Sequence, residues 1–262
     1  MRRLIAFPCA GETLVGSLDE APGTTGLLIV SGGNEIRCGA HRGMALLAAR
    51  VAEAGHPVLR FDRRGIGDST GENGGFKTSV EDIAAAVASF RAAGVSRIIG
   101  YGNCDAATSL AFFWKRAGVD ALLLANPWTI EATDELPPAA AIRSHYAQKL
   151  RDPKEWLRLL RGGVDISKIL KGLRKSAQKP SQESGSIASD LALALAYAPP
   201  ATTILLARGD NTAIAFADVF KGPAFNAARA RVRIETLDSD SHSFASAADK
   251  DWLFDRVMAA LA

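Results

Sequence analysis

The chain has 262 residues, of which 48% are hydrophobic and 23% charged, with 24 Gly and 11 Pro. That composition supports one large core and excludes a collagen, a coiled coil or a disordered chain. No apolar run approaches the roughly 20 residues of a membrane span, and Met1–Pro8 is too short in apolar residues for a secretory signal, so the expectation is a soluble cytoplasmic protein. The net charge of +3 hides an asymmetry: residues 143–179 carry eleven basic side chains against three acids, leaving −5 for the rest.

Short apolar runs predict strands at Arg3–Phe7, Thr13–Leu18, Gly26–Val30, Pro57–Phe61, Arg97–Tyr101 and Ala121–Leu124. Helical patterns alternate with them. Ala40–Ala54 stops at Gly55, and Ser79–Ala93 opens with Ser79 as a cap three residues before Asp82 and stops at Gly94. A third pattern covers Ala106–Trp114. This alternation predicts an α/β fold with a mostly parallel central sheet flanked by helices.

After Pro127 the rhythm breaks. Between Trp128 and Pro200 no strand is predicted, but two amphipathic helices are. The first has Asp152 as cap, Pro153 at its first position, Glu155 three residues after the cap and a stop at Gly162-Gly163. The second begins at Asp165 and sets Ile166, Ile169, Leu170 and Leu173 on one face. The Ser-rich tract Gln178–Ser189 reads as a connection. Strands at Thr203–Ala207 and Val232–Leu237 and a helix at Ala247–Leu261 then resume the pattern. The expected organisation is a core of residues 1–127 and 200–262 with a helical lid, residues 128–199, inserted after the sixth strand.

Three cysteines, Cys9, Cys38 and Cys104, cannot all pair within one chain, and their spacing is not that of a metal site. Cys104 stands apart. It lies in Gly102-Asn103-Cys104-Asp105-Ala106, between a predicted strand and a predicted helix. A sharp strand-to-helix turn exposes the side chain at its apex and brings strand and helix so close that the residues two before and two after must be small. Gly102 and Ala106 meet that demand. The helix N-terminus would favour a thiolate at Cys104.

These five residues resemble the nucleophile elbow of the α/β-hydrolases, with Cys in place of the usual Ser, as in dienelactone hydrolases. The resemblance implies a triad in the chain order nucleophile, acid, His. Asp210 follows the strand Thr203–Ala207, and His242 follows Val232–Leu237. Asp238 and Asp240 are the other acids near the histidine. The resemblance also implies an oxyanion hole from the backbone N–H of Asp105 and one from the loop Ser31-Gly32-Gly33-Asn34, supplied by Gly33 or by Asn34. Asp62-Arg63-Arg64-Gly65-Ile66-Gly67-Asp68-Ser69 resembles the Asp-x-Arg-Gly-x-Gly-x-Ser loop of the same enzymes. The Cys elbow, the run Ser31–Gly39 and the run His145–Leu150 before Trp156 together resemble the hydrolase 1 subfamily associated with bacterial exosortase A systems.

Other motifs lose to simpler readings. Gly67-Asp68-Ser69-Thr70-Gly71 matches Gly-x-Ser-x-Gly, but Gly74-Gly75 follow where a helix would have to begin. Gly65-Ile66-Gly67 opens a dinucleotide fingerprint that Thr70 breaks. His41, His56 and His145 have no metal-ligand spacing, so neither metal nor other cofactor is expected. The basic residues 143–179 lack the interleaved aromatic residues of a nucleic-acid surface, and suit an anionic acyl substrate or an acidic membrane face. The sequence therefore predicts hydrolysis of a small-molecule or carrier-linked ester or thioester through Cys104, Asp210 and His242. Trp128 is expected at the pocket wall. An acyltransferase with the same acyl-enzyme and a non-catalytic binding protein on the same scaffold are the alternatives. The oligomeric state has no signature in the sequence.

Overall fold

The structure, a computed structural model, describes residues 1–131 and 186–262. They form one eight-stranded sheet. Arg2–Cys9 (β1) and Glu12–Asp19 (β2) make a hairpin at the edge, and β2 pairs antiparallel with Val58–Phe61 (β4). From β4 the order continues through Thr25–Val30 (β3), Arg97–Asn103 (β5), Ala121–Ala125 (β6), Thr202–Ala207 (β7) and Arg233–Leu237 (β8), every pair parallel. All eight strands lie where the apolar runs place them, within one or two residues at each end for most.

Continuous apolar runs form the centre because both faces of a parallel sheet are covered. All five residues of β6 are buried, as are the five central residues of β5. Alternate residues of β3 feed two cores: Leu28 and Val30 pack with Ile83, Phe90 and Leu110 on one face of the sheet, whereas Leu27 and Ile29 pack with Leu47, Val51 and Val257 on the other. The first core lies under helices Val80–Ala92 (α2) and Asp105–Ala117 (α3), and the second under Gly43–Glu53 (α1) and the C-terminal helix Ala247–Leu261.

Two helix starts depart from expectation. The pattern from Ala40 begins as a single tight turn, Ala40–Arg42, with positive φ at His41 and Arg42, and the regular helix starts at Gly43. Ser79 does stand before α2, but its hydroxyl donates to Phe76 O and pairs with Ser109 Oγ instead of capping the helix. Asp82 is likewise engaged elsewhere: its carboxylate accepts from Arg64.

Three helices lie outside the elements predicted from the sequence. Ile187–Ala196 (α4) is capped by Ser186, which accepts from the Ser189 N–H, and it buries Ile187, Leu191 and Leu195 against α3. Part of the expected Ser-rich connection is thus a cap and first helical turn that belong to the core packing. Asn211–Phe220 (α5) follows β7, and the short Asn226–Arg229 (α6) precedes β8, so that Ala247–Leu261 is α7. The helices predicted from Asp152 and from Asp165, with the basic run, lie outside the described residues. At the base of that stretch Ile187 N–H donates to Glu131 Oε1 at 2.6 Å. Among the described residues no helix is long and apolar enough to cross a membrane.

Candidate active site

Parallel strands deliver their C-terminal ends to one edge of the sheet, where ligands of open α/β folds bind. Here that edge collects Ser31–Asn34 after β3, Asp62–Arg64 after β4, Cys104 after β5, Asn126 after β6, Asp210 after β7 and His242 after β8.

Cys104 is the turn between β5 and α3. Its φ of 62° and ψ of −127° lie where a residue with a side chain is strained, at a cost of about 1–3 kcal/mol. The turn exists because Gly102 lacks a side chain: a Cβ there would stand 2.7 Å from the Ala106 carbonyl carbon and 2.9 Å from the Ala107 N. The Cys104 side chain remains partly accessible. Trp128 is half-buried beside the elbow, its N–H donating to Cys104 O at 3.2 Å and its carbonyl accepting from Thr108 Oγ1 at 2.8 Å.

His242 Nδ1 lies 3.0 Å from Asp210 Oδ2, and the ring is also hydrogen-bonded to Cys104. The hydrogen bond to Asp210, then that to Cys104, push the imidazole up to about 10 against the opposing effect of burial. Asp210 is nearly buried as the cap of α5, where the same Oδ2 accepts from the Ala213 N–H at 3.1 Å. That second donor holds the carboxylate in register with the imidazole. The His242 loop is itself pinned: Ser239 Oγ donates to Asp249 Oδ2, Ser241 Oγ accepts from the Ala245 N–H, and buried Phe244 stacks on Trp252.

Two asparagines absent from the sequence expectations tie these loops together. Asn126 is fully buried at a φ of 42°. Its Oδ1 accepts from the Ala207 N–H at 2.9 Å, which fixes the amide orientation and turns Nδ2 toward Asn103 Oδ1 (3.0 Å) and His242 O (3.3 Å). Asn103 Nδ2 in turn donates to His242 O at 2.9 Å. The histidine's own carbonyl thus receives two amide donors, one from the end of β5 and one from the end of β6. The only local sign of Asn126 is a lone polar residue at the end of an apolar strand; Asn103 is the variable position of the elbow.

The loop after β3 lies across the elbow. A Cβ on Gly32 would meet Asp105 Oδ1 at 2.5 Å and Asn103 O at 2.8 Å, so glycine allows this approach. The Gly33 N–H donates to Asp105 Oδ1 at 2.8 Å and is therefore engaged. The Asn34 N–H has no acceptor among the described residues. Neither has the Asp105 N–H an intrahelical one, being the first of α3. Glu35 stands close enough to feel both His242 and Asp105, and burial pushes its carboxyl up. Behind the loop, the nearly buried Arg63 donates Nη2 to Gly33 O.

Ser69, the literal match to the serine pattern, is spent on structure. Its hydroxyl donates to Asp62 O at 2.8 Å and accepts from the Val15 N–H at 2.9 Å. Among the described residues no three His, Cys, Asp or Glu side chains are arranged to share a metal ion.

No protein-family model matches the chain, and no curated protein matches it in sequence. Solved structures do match in shape. An esterase of Pyrococcus furiosus superposes with a TM-score of 0.65 at 15% identity, covering 100% of this chain and 90% of its own. The α/β hydrolase GrgF of Penicillium gives 0.64 at 19%, covering 100% and 98%. The thioesterase domain of the curacin biosynthetic pathway gives 0.58 at 12%, covering 98% and 99%.

Proposed function

We propose, on the premise that this chain has the α/β-hydrolase fold, that it hydrolyses an ester or thioester through a covalent intermediate on Cys104. The observation that carries the proposal is the hydrogen-bonded series Asp210, His242, Cys104, with the cysteine at a strained elbow. The esterases and thioesterase among its structural neighbours fit the same chemistry.

Cys104 Sγ adds to the acyl carbonyl carbon while the thiol proton resides on His242. The C=O electron pair moves onto oxygen and is received by the N–H groups of Asp105 and Asn34, a role supported by their having no acceptor among the described residues. Collapse of the tetrahedral adduct breaks the bond to the leaving alkoxide or thiolate, which takes the proton from His242. Water then gives its proton to His242, its oxygen bonds to the acyl carbon, and the C–S bond breaks to release the acid and restore the thiol. Asp210 keeps the ring in the tautomer whose second nitrogen faces sulfur. An acyl-thioester intermediate forms more readily from activated esters and thioesters than from amides.

The substrate class is a small-molecule or carrier-linked acyl compound. The likeness to exosortase-associated hydrolases rests on the sequence of the Cys elbow, of the Ser31–Gly39 loop and of His145–Leu150 before Trp156, the last of which lies outside the described residues. The test is intact-mass spectrometry after brief exposure to a p-nitrophenyl acyl ester and to an acyl thioester. One acyl adduct is expected on the wild type, none on Cys104→Ala, and a much slower one on His242→Ala. An adduct that persists on Cys104→Ala would overturn the assignment.

A further inference from the structure

We infer that the cavity walled by Arg63, Asn73 and Gly74-Gly75, behind the Gly33–Asn34 loop, receives an anionic group of the substrate, a carboxylate or a phosphate, with Arg63 as its binding residue. The inference rests on the acyl-transfer reading above and adds the chemical class of what that site accepts.

Neighbouring arginines show how this fold treats a guanidinium needed only for structure. Arg64 grips Asp82 through Nε at 2.9 Å and Nη2 at 3.2 Å, with Glu81 at 3.4 Å. Arg37 pairs with Asp62 and, at 2.9 Å, with Asp68. Arg63 is different. It is only 5% exposed, yet it forms no ion pair with any described residue, and its hydrogen bond is to the neutral Gly33 carbonyl. Burial holds its guanidinium below the usual arginine range, because Asp105 and Asp82 are near enough to oppose that effect but not to cancel it. A buried charge without a hydrogen-bonded counter-ion is unfavourable, and an arriving anion removes that penalty.

The space for such an anion is present. Arg63 lines a cavity of about 290 Å³ with Asn73, Gly74, Gly75 and Thr78. Its wall also holds Arg64, Glu72, Glu81 and Asp82. Two of the acids have cationic partners: Asp82 pairs with Arg64, and Glu81 pairs with Arg64 and, at 3.3 Å, with Arg116. Glu72 is exposed. Arg63 is left as the buried wall charge without a counter-ion, and its planar fork suits a two-oxygen acceptor.

The cavity adjoins the reacting centre through short links. Arg63 holds Gly33 O, Gly33 N–H holds the Asp105 side chain next to Cys104, and Asn73 Nδ2 donates to Asn34 Oδ1 at 3.0 Å. On this proposal a substrate whose carbonyl rests against the Asn34 and Asp105 N–H groups extends past Asn34 and brings its terminal anion to Arg63.

The experiment compares kcat/KM for p-nitrophenyl butyrate and for mono-p-nitrophenyl glutarate in wild type, Arg63→Lys, Arg63→Met and Glu72→Gln. Wild type is expected to favour the glutarate at least tenfold. Arg63→Met should lower that ratio at least tenfold, Arg63→Lys should keep part of it, and Glu72→Gln, which removes a repelling carboxylate, should raise it. A wild-type ratio near one with the butyrate still turned over, or an equal ratio in wild type and Arg63→Met, overturns the subsite and leaves the hydrolase reading standing. If neither ester acylates Cys104, the hydrolase reading fails, and calorimetric titration still decides the subsite. Glutarate or inorganic phosphate binding to Cys104→Ala and lost in Cys104→Ala/Arg63→Met supports it, and the stronger of the two anions identifies the source. No binding of either to Cys104→Ala overturns it. Should Arg63→Met fail to fold, the Arg63→Lys ratio and phosphate competition in wild type carry the same decision.

Discussion

Replacing Asn126 with leucine removes the amide on which three site loops converge. Two groups then lose their partner: the Ala207 N–H and Asn103 Oδ1. The His242 carbonyl keeps its donor from Asn103 at 2.9 Å. Each orphaned buried group costs about 1–3 kcal/mol, and a branched residue at a φ of 42° adds roughly 1–2 kcal/mol that asparagine largely avoids. The expected loss is about 3–8 kcal/mol, a large share of the roughly 5–15 kcal/mol that holds a typical domain together. Asn126→Ala should lose less, because the vacated space admits a water that can serve both orphans. Urea titration of the two variants beside wild type gives the difference in stability. With one donor gone from His242 O, the imidazole should also drift, and the acylation rate should fall roughly 10- to 100-fold in whatever protein remains folded. An Asn126→Leu protein within 1 kcal/mol of wild type, by the same ~1 kcal/mol yardstick for one hydrogen bond, with an unchanged acylation rate, would refute the reasoning.

Asp210→Asn removes the largest influence raising the His242 imidazole, so nitrogen-15 NMR should show wild-type His242 protonated up to about pH 10 and the variant titrating nearer the ordinary 6.5. Since the folded-state value lies above the unfolded one, the stabilisation by this pair is complete below about pH 6.5 and disappears as pH rises through about 10; Asp210→Asn should flatten the stability profile across that window. Gly102→Ala drives a Cβ into the Ala106 backbone, and thermal unfolding should register a loss of about 1–3 kcal/mol with acylation abolished; an active, fully stable variant would show the elbow to be looser than described. Burial first, then Asp82, push the Cys9 thiol up to about 11; Ellman's reagent at pH 8 should therefore leave Cys9 unlabelled in the folded protein and label it in urea. Ser69→Ala should destabilise by about 1–2 kcal/mol while a Cys104 adduct still forms, whereas loss of the adduct in a folded variant would reopen the serine pattern.

Much of this arrangement is written in short-range pattern. Ile98-Ile99 and Leu122–Leu124 announce central parallel strands because a strand covered on both faces has no polar side. Gly102 and Ala106 announce the elbow because its steric demand falls on positions two residues either side of Cys104. The helix Asn211–Phe220 carries local signs too, in Asp210 as its cap and in the spacing of Ala213, Phe216 and Phe220. Asn126 and Arg63 were not legible. Asn126 meets His242 across 116 residues, and Arg63 meets Gly33 across 30. Neither contact leaves a local period or spacing, since only the closed sheet brings the partners together. The same holds for the Gly33 N–H, whose engagement depends on where the Asp105 carboxylate lies.

The hydrogen bond from Ile187 N–H to Glu131 has a bearing on how this chain can change over evolutionary time. Residues 131 and 187 meet at the sheet edge, so everything between them is a detour that begins and ends at one point. The pairing of β6 with β7 is set by its own ladder, and α4 packs on α3 after the detour has closed. The cost of closing such a detour grows only with the logarithm of its length. Residues can accordingly be gained, lost or exchanged there with little disturbance to the sheet, while the exit point stays close to Cys104 through Trp128. This gives the fold a port beside Cys104 at which chain can be rewritten independently of the sheet that carries Asp210 and His242.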